Sequence, residues 1–141
     1  MLFRSSTVYP SATILVVDDE DFLLEYVRIV LVRAGYTVLT ATNGEEAWNL
    51  IAENRHEIRL LLTDIIMPDS FDGFELAERV RKHQPDLPVL LMTGATLRDH
   101  PAREVITRQR KLLRKPFFPD QLLTIVREHL EPADRSVERE L

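Results

Sequence analysis

A chain of 141 residues with 45% hydrophobic and 29% charged residues has the composition of one folded domain, since domains commonly hold about 100–150 residues. Its formal net charge of −5 gives no support to nucleic-acid binding, although Arg108 to Lys115 is locally basic. The absence of cysteine excludes disulfides, thiolate metal sites and cysteine nucleophiles, and no stretch reaches the roughly 20 apolar residues of a membrane span or resembles a secretory signal.

Residues 1–12, with Arg4, Ser5, Ser6 and Pro10, read as a flexible leader, and the charged residues 132–141 as a tail, leaving 13–131 for the domain. Within it, short apolar runs alternate with helical periodicity. The first strand is expected over Ile14 to Val17, followed by a helix that turns Leu23, Val27, Val30 and Ala34 inward and stops at Gly35. Thr37 to Ala41 is the second strand. Asn43 then caps a helix, with Glu46 three residues on in a capping-box pattern and Ala47, Leu50 and Ile51 inward.

The third strand, Leu60 to Thr63, ends at Asp64, and a loop with Pro68, Asp69 and Asp72-Gly73 leads to a helix burying Leu76, Ala77 and Val80. Val89 to Met92 is the fourth strand, running into Thr93-Gly94. The segment Leu97 to Arg108, with Pro101, has a weaker apolar pattern and is read as the fourth helix. A fifth strand around Lys111 to Arg114 ends at Lys115-Pro116, and Pro119 opens a final helix carrying Leu122, Leu123, Val126 and Leu130.

Five βα units of this kind predict an α/β fold: an open, doubly wound, five-stranded parallel sheet with the flavodoxin-like strand order 2-1-3-4-5. Ligands of such sheets bind beyond the carboxyl ends of the strands. Those ends carry Asp18-Asp19, Asp64, Thr93 and Lys115.

Three carboxylates brought together repel one another unless a cation or a proton neutralises them. Oxygen ligands without histidine or thiolate suit a hard ion, and Mg²⁺ in particular takes one or two carboxylates while bridging to a phosphate. Lys115 supplies a positive charge for phosphoryl oxygens, Thr93 a hydroxyl, and Asp64 remains as nucleophile. Alone, Asp18-Asp19 would suit an acidic helix start, Thr93-Gly94 a turn and Lys115 the surface; their combination favours a site.

The stretches Val16-Val17-Asp18-Asp19-Glu20, Thr63-Asp64-Ile65-Ile66-Met67-Pro68, Asp72-Gly73, Met92-Thr93-Gly94 and Lys115-Pro116-Phe117 together resemble the receiver domains of bacterial two-component systems, over about Ala12 to Leu130. The resemblance implies that Asp64 is the phosphorylated aspartate, that Asp18 and Asp19 form the acidic pair around Mg²⁺, and that the backbone carbonyl of Ile66 is a further ligand. It also implies that Thr93 is the switch hydroxyl, and that Lys115 precedes a usually cis bond to Pro116. The phosphoryl donor is then a histidine kinase or a histidine phosphotransfer protein. The output is a changed contact with a downstream protein target, in a stand-alone regulator or phosphorelay member of the cytoplasm, with a homodimer allowed.

Two features depart from that pattern. Leu112 occupies a position commonly held by a switch aromatic, which leaves the output to loop movement or to a neighbouring ring such as Phe117 or Phe118. The loop Pro68 to Gly73 is one residue longer than the commonest form, as in receivers fused to or paired with hybrid kinases. A magnesium-dependent phosphatase of the haloacid-dehalogenase type would place an acid where Ile66 stands, so turnover on a small substrate is disfavoured, and no enzymatic activity is expected beyond slow self-modification. Ile66 and Ala95 offer no side chain to orient water, which predicts a long-lived phosphoryl-aspartate. His56, His83, His100 and His129 show no ligand spacing and read as surface residues, and Trp48 reads as packing.

Overall fold

The computed structural model describes residues 12–67, 71–94, 98–108 and 112–130. Strands β1 (Thr13–Val17), β2 (Thr37–Ala41), β3 (Ile58–Asp64), β4 (Val89–Thr93) and β5 (Leu112–Arg114) alternate with helices α1 (Asp21–Arg33), α2 (Gly44–Glu53), α3 (Gly73–His83), α4 (Arg103–Thr107) and α5 (Pro119–Leu130). The strands pair in parallel in the order β2-β1-β3-β4-β5, as the alternation predicts. No helix among the described residues is long and apolar enough to cross a membrane.

Because side chains alternate along a strand, both faces of the central strands must be apolar when helices cover both. Ile14, Val16, Leu60 and Leu62 pack with Leu24, Val27 and Leu31 of α1 and Leu122 and Val126 of α5. Leu15, Val17 and Leu61 pack on the other face with Ala47 and Ile51 of α2 and Leu76 and Val80 of α3. Ile65, Ala77, Leu91 and Ile106 extend that second face toward α4. Full burial of each large aliphatic side chain is worth about 1.5–3 kcal/mol, so the sheet is fixed from both sides.

Local signals set the helix ends. Asn43 accepts the Glu46 N–H at 2.7 Å, while the Glu46 carboxylate turns back to the Thr42 N–H at 2.8 Å, the reciprocal arrangement of a capping box displaced by one residue. Gly35, at φ 105°, lets the chain leave α1 with Gly35 N–H on the Val32 carbonyl and Tyr36 N–H on that of Leu31.

Several expectations shift. The most buried line of α1 is Leu24, Val27 and Leu31, a helical stripe that shares Val27 with the expected one, and Leu23, Val30 and Ala34 flank it partly buried. The fourth helix shortens to Arg103–Thr107, with Ile106 as its buried anchor. His129 is not a surface residue: it is 4% exposed, and its Nδ1 lies 2.8 Å from the Ile125 carbonyl within α5. Ala12 belongs with the sheet rather than with a leader, since its carbonyl accepts the Thr37 N–H at 3.0 Å. The remainder of the expected leader and the tail lie outside the described residues, as do Pro68, Asp69, Ser70, Ala95, Leu97 and Lys111.

Candidate functional site

Register brings the candidate residues together. Val17 of β1 sits beside Thr63 of β3, so Asp18 and Asp64 leave neighbouring strands side by side. Asp64 pairs with Met92 and Thr93 with Arg114, which puts Thr93 and Lys115 along the same edge. Backbone bonds extend this order beyond the strands: Asp18 N–H donates to Ala41, Ile65 N–H to Met92 and Lys115 N–H to Thr93.

The Lys115 ammonium lies 3.0 Å from Asp18 Oδ2, 3.1 Å from Asp64 Oδ2 and 3.6 Å from Glu20 Oε1. Asp18 is fully buried, Asp64 and Thr93 nearly so, and Asp19 is exposed. One oxygen from each of Asp18, Asp19 and Asp64 falls within 4.8 Å of the others, a spacing at which a single cation can touch all three. The donor set, oxygen alone and partly open to solvent, fits a hard divalent ion. Ile66, two residues after Asp64, is 38% exposed. The Lys115-Pro116 bond is cis.

Burial, and then the neighbouring Asp18 charge, push the Asp64 carboxyl up to about 6 against the partial relief given by Lys115. Burial also raises Asp18, although the Glu20 N–H and Lys115 pull it back. Burial pulls the Lys115 ammonium down, but its bonds to the two aspartates outweigh this and leave it raised. A carboxylate pair that one lysine cannot fully neutralise is a site with room for more positive charge.

The Thr93 hydroxyl donates to the adjacent Gly94 carbonyl at 3.3 Å, a long bond that a stronger acceptor would displace. Leu112 packs beside Leu91 and Ile106. Of the two candidate rings, Phe117 is buried in the core and its carbonyl accepts the Tyr26 hydroxyl at 3.1 Å, whereas Phe118 is 75% exposed. Sequence reasoning gave Glu20 no role; its backbone N–H donates to Asp18 Oδ1 at 2.9 Å and orients that carboxylate. It also read His100 as a surface residue, yet this side chain is 9% exposed and 2.7 Å from Asp72. The Glu20–Asp18 bond is a local turn between residues two apart, whereas the His100–Asp72 contact joins segments 28 residues apart and has no local signature.

Comparison with known proteins decides the family. The response regulator receiver domain model matches residues 14–127. The chain belongs to the response-regulator receiver family. This receiver is 35% identical to the response regulator receiver protein CpdR of Brucella abortus, over 83% of its own length and 95% of CpdR. It is 38% identical to the sensor kinase CckA of the same organism, over 93% of the receiver but 14% of the kinase. The chain spans half or less of the length of that kinase and of several regulators it also matches. A CheY-like receiver domain protein from Methanospirillum hungatei superposes with a TM-score of 0.76 at 27% identity, covering 89% of this chain and 98% of the other. The match is to a two-component signalling module, and the acidic cluster of the receiver is suited to a metal ion.

Proposed function

We propose that Asp64 is the phosphoryl acceptor of this receiver, that Asp18, Asp19, Asp64 and the Ile66 carbonyl hold Mg²⁺, and that residues 13–131 are the unit that performs the transfer. Bound Mg²⁺ would neutralise charge on the phosphoryl oxygens. A carboxylate oxygen of Asp64 attacks phosphorus as the bond to the donor breaks, and the leaving group departs with that bonding pair. The donor is the phosphorylated imidazole of a histidine kinase or phosphotransfer protein, a class to which the similarity with a sensor kinase lends support.

Lys115, held between Asp18 and Asp64, is placed to meet a phosphoryl oxygen as its bond to Asp64 Oδ2 loosens. Thr93 exchanges its long bond to Gly94 for one to the phosphoryl group. The added charge, about −1.5 to −2 at neutral pH, draws Thr93 and the segments after β3 and β4 inward and alters the surface offered to a downstream protein. Catalysis is confined to the receiver's own phosphorylation and slow hydrolysis, in the cytoplasm.

The observation that carries this reading is the single Lys115 ammonium set between two buried carboxylates beside a third. Intact mass after incubation with acetyl phosphate tests it. A phosphoryl adduct is expected on the wild type with Mg²⁺ and absent with EDTA or in Asp64→Ala. No adduct from acetyl phosphate or from a phosphorylated kinase would overturn the assignment.

A further inference from the structure

We infer that His100 is a positioning residue for the Asp64 site, acting through Asp72 and Gly73; its effect on Mg²⁺ rests on the reading of Asp64 as acceptor. His100 lies between β4 and α4. The Ala102 N–H donates to its Nδ1 at 2.9 Å. A backbone amide can only donate, so Nδ1 presents a lone pair and the ring hydrogen sits on Nε2. That Nε2–H donates to Asp72 Oδ2 at 2.7 Å.

The other oxygen of the same carboxylate, Asp72 Oδ1, accepts the Glu75 N–H at 2.9 Å and so starts α3. One carboxylate therefore joins the first turn of α3 to the segment that follows β4. The Phe74 ring stands edge-on to the His100 imidazole, 6.0 Å between centroids. The next link is Gly73, whose N–H donates to the Ile65 carbonyl at 2.8 Å and whose α-carbon rests against the Asp64 carbonyl.

The series His100, Asp72, Gly73 thus ends on the backbone of Asp64 and Ile65, the two residues before the Ile66 carbonyl. Fixing that backbone sets the direction of both the acceptor carboxylate and the proposed carbonyl ligand. Outer partners of metal ligands typically change affinity by about 10–100-fold when removed. His100 touches neither metal nor phosphoryl group, so its removal acts on cation affinity while leaving the chemistry at saturating Mg²⁺ close to normal.

The experiment uses the full chain in four forms besides the wild type: His100→Ala, His100→Gln, Asp72→Ser and the His100→Ala/Asp72→Ser double variant. Gln restores a donor near the Nε2 position, and Ser keeps an oxygen for capping α3 but none for His100. Two readouts are taken: hydrogen exchange of the Gly73 amide in EDTA, and the Mg²⁺ concentration giving half-maximal adduct formation from acetyl phosphate. Faster Gly73 exchange is expected in His100→Ala, with the Mg²⁺ requirement raised about tenfold, the same rise in Asp72→Ser, no further rise in the double variant, and recovery in His100→Gln. Wild-type Gly73 exchange in a folded His100→Ala protein, an unchanged Mg²⁺ requirement, or additive effects in the double variant would overturn the inference. If the wild type forms an adduct neither from acetyl phosphate nor from a phosphorylated kinase, the Asp64 assignment fails, and Gly73 exchange still decides whether His100 holds this backbone.

Discussion

The α-carbon of Gly73 lies so close to the carbonyl of Asp64 that a β-carbon on Gly73 would overlap that oxygen. The first turn of α3 is therefore packed directly on the Asp64 backbone, and the glycine is there for close approach rather than for a special dihedral angle. Gly73→Ala is expected to displace α3 and cost about 1–3 kcal/mol in urea unfolding, as overpacked cores do. Gly94→Ala serves as the control. A β-carbon there meets Lys115 Cδ at 4.0 Å, an ordinary contact, and should change stability by no more than about 0.5 kcal/mol.

The metal-free protein should lose stability as pH rises through the weakly acidic range. Asp64 is pushed from 3.8 up to about 6, so between those values the native state binds more protons than the unfolded chain. The stabilisation is full below about pH 4 and gone above about pH 6, and raised Asp18 acts in the same direction. A decline of about 1–3 kcal/mol is expected in EDTA, measured by urea unfolding at successive pH values. Asp64→Asn should flatten the slope, and a slope unchanged by that substitution would place its origin elsewhere.

Lys115→Ala leaves Asp18 and Asp64 facing each other without their shared cation. In EDTA at neutral pH the variant should lose at least about 1–3 kcal/mol, the cost of leaving a buried polar group without its partner. The same change removes a positive charge from beside the cation site, so Mg²⁺ should bind more tightly than to the wild type while adduct formation slows. Calorimetric titration with Mg²⁺ checks the first effect and intact mass over time the second. Weaker Mg²⁺ binding would show that Lys115 organises the carboxylates rather than competing for them.

Ile66, two residues after the proposed acceptor Asp64, is 38% exposed and carries no group able to orient an attacking water. The phosphoryl-aspartate should persist for minutes or longer in Mg²⁺ buffer, and Ile66→Asn should shorten its life several-fold. Decay of the wild-type adduct within seconds, followed by mass spectrometry, would contradict this.

The alternation of apolar runs with helical stripes, the Asn43 cap and the residues at each strand's carboxyl end are legible in the linear sequence because they follow from local periodicity and from short-range hydrogen bonds. Parallel strands then place Asp18, Asp64, Thr93 and Lys115 on one edge, so the candidate site was legible as a set of residues. Its internal geometry was not. Lys115 reaches Asp18 across 97 residues of sequence, and His100 reaches Asp72 across 28, through strand register and loop placement that no local pattern encodes. Likewise, the burial of His129 and the choice of Leu24, Val27 and Leu31 as the inward line of α1 are set by how the helices pack on the folded sheet. The raised Asp64 is the plainest case: an aspartate's identity comes from the sequence, but the burial and the adjacent Asp18 charge that hold its proton exist only once the chain has folded.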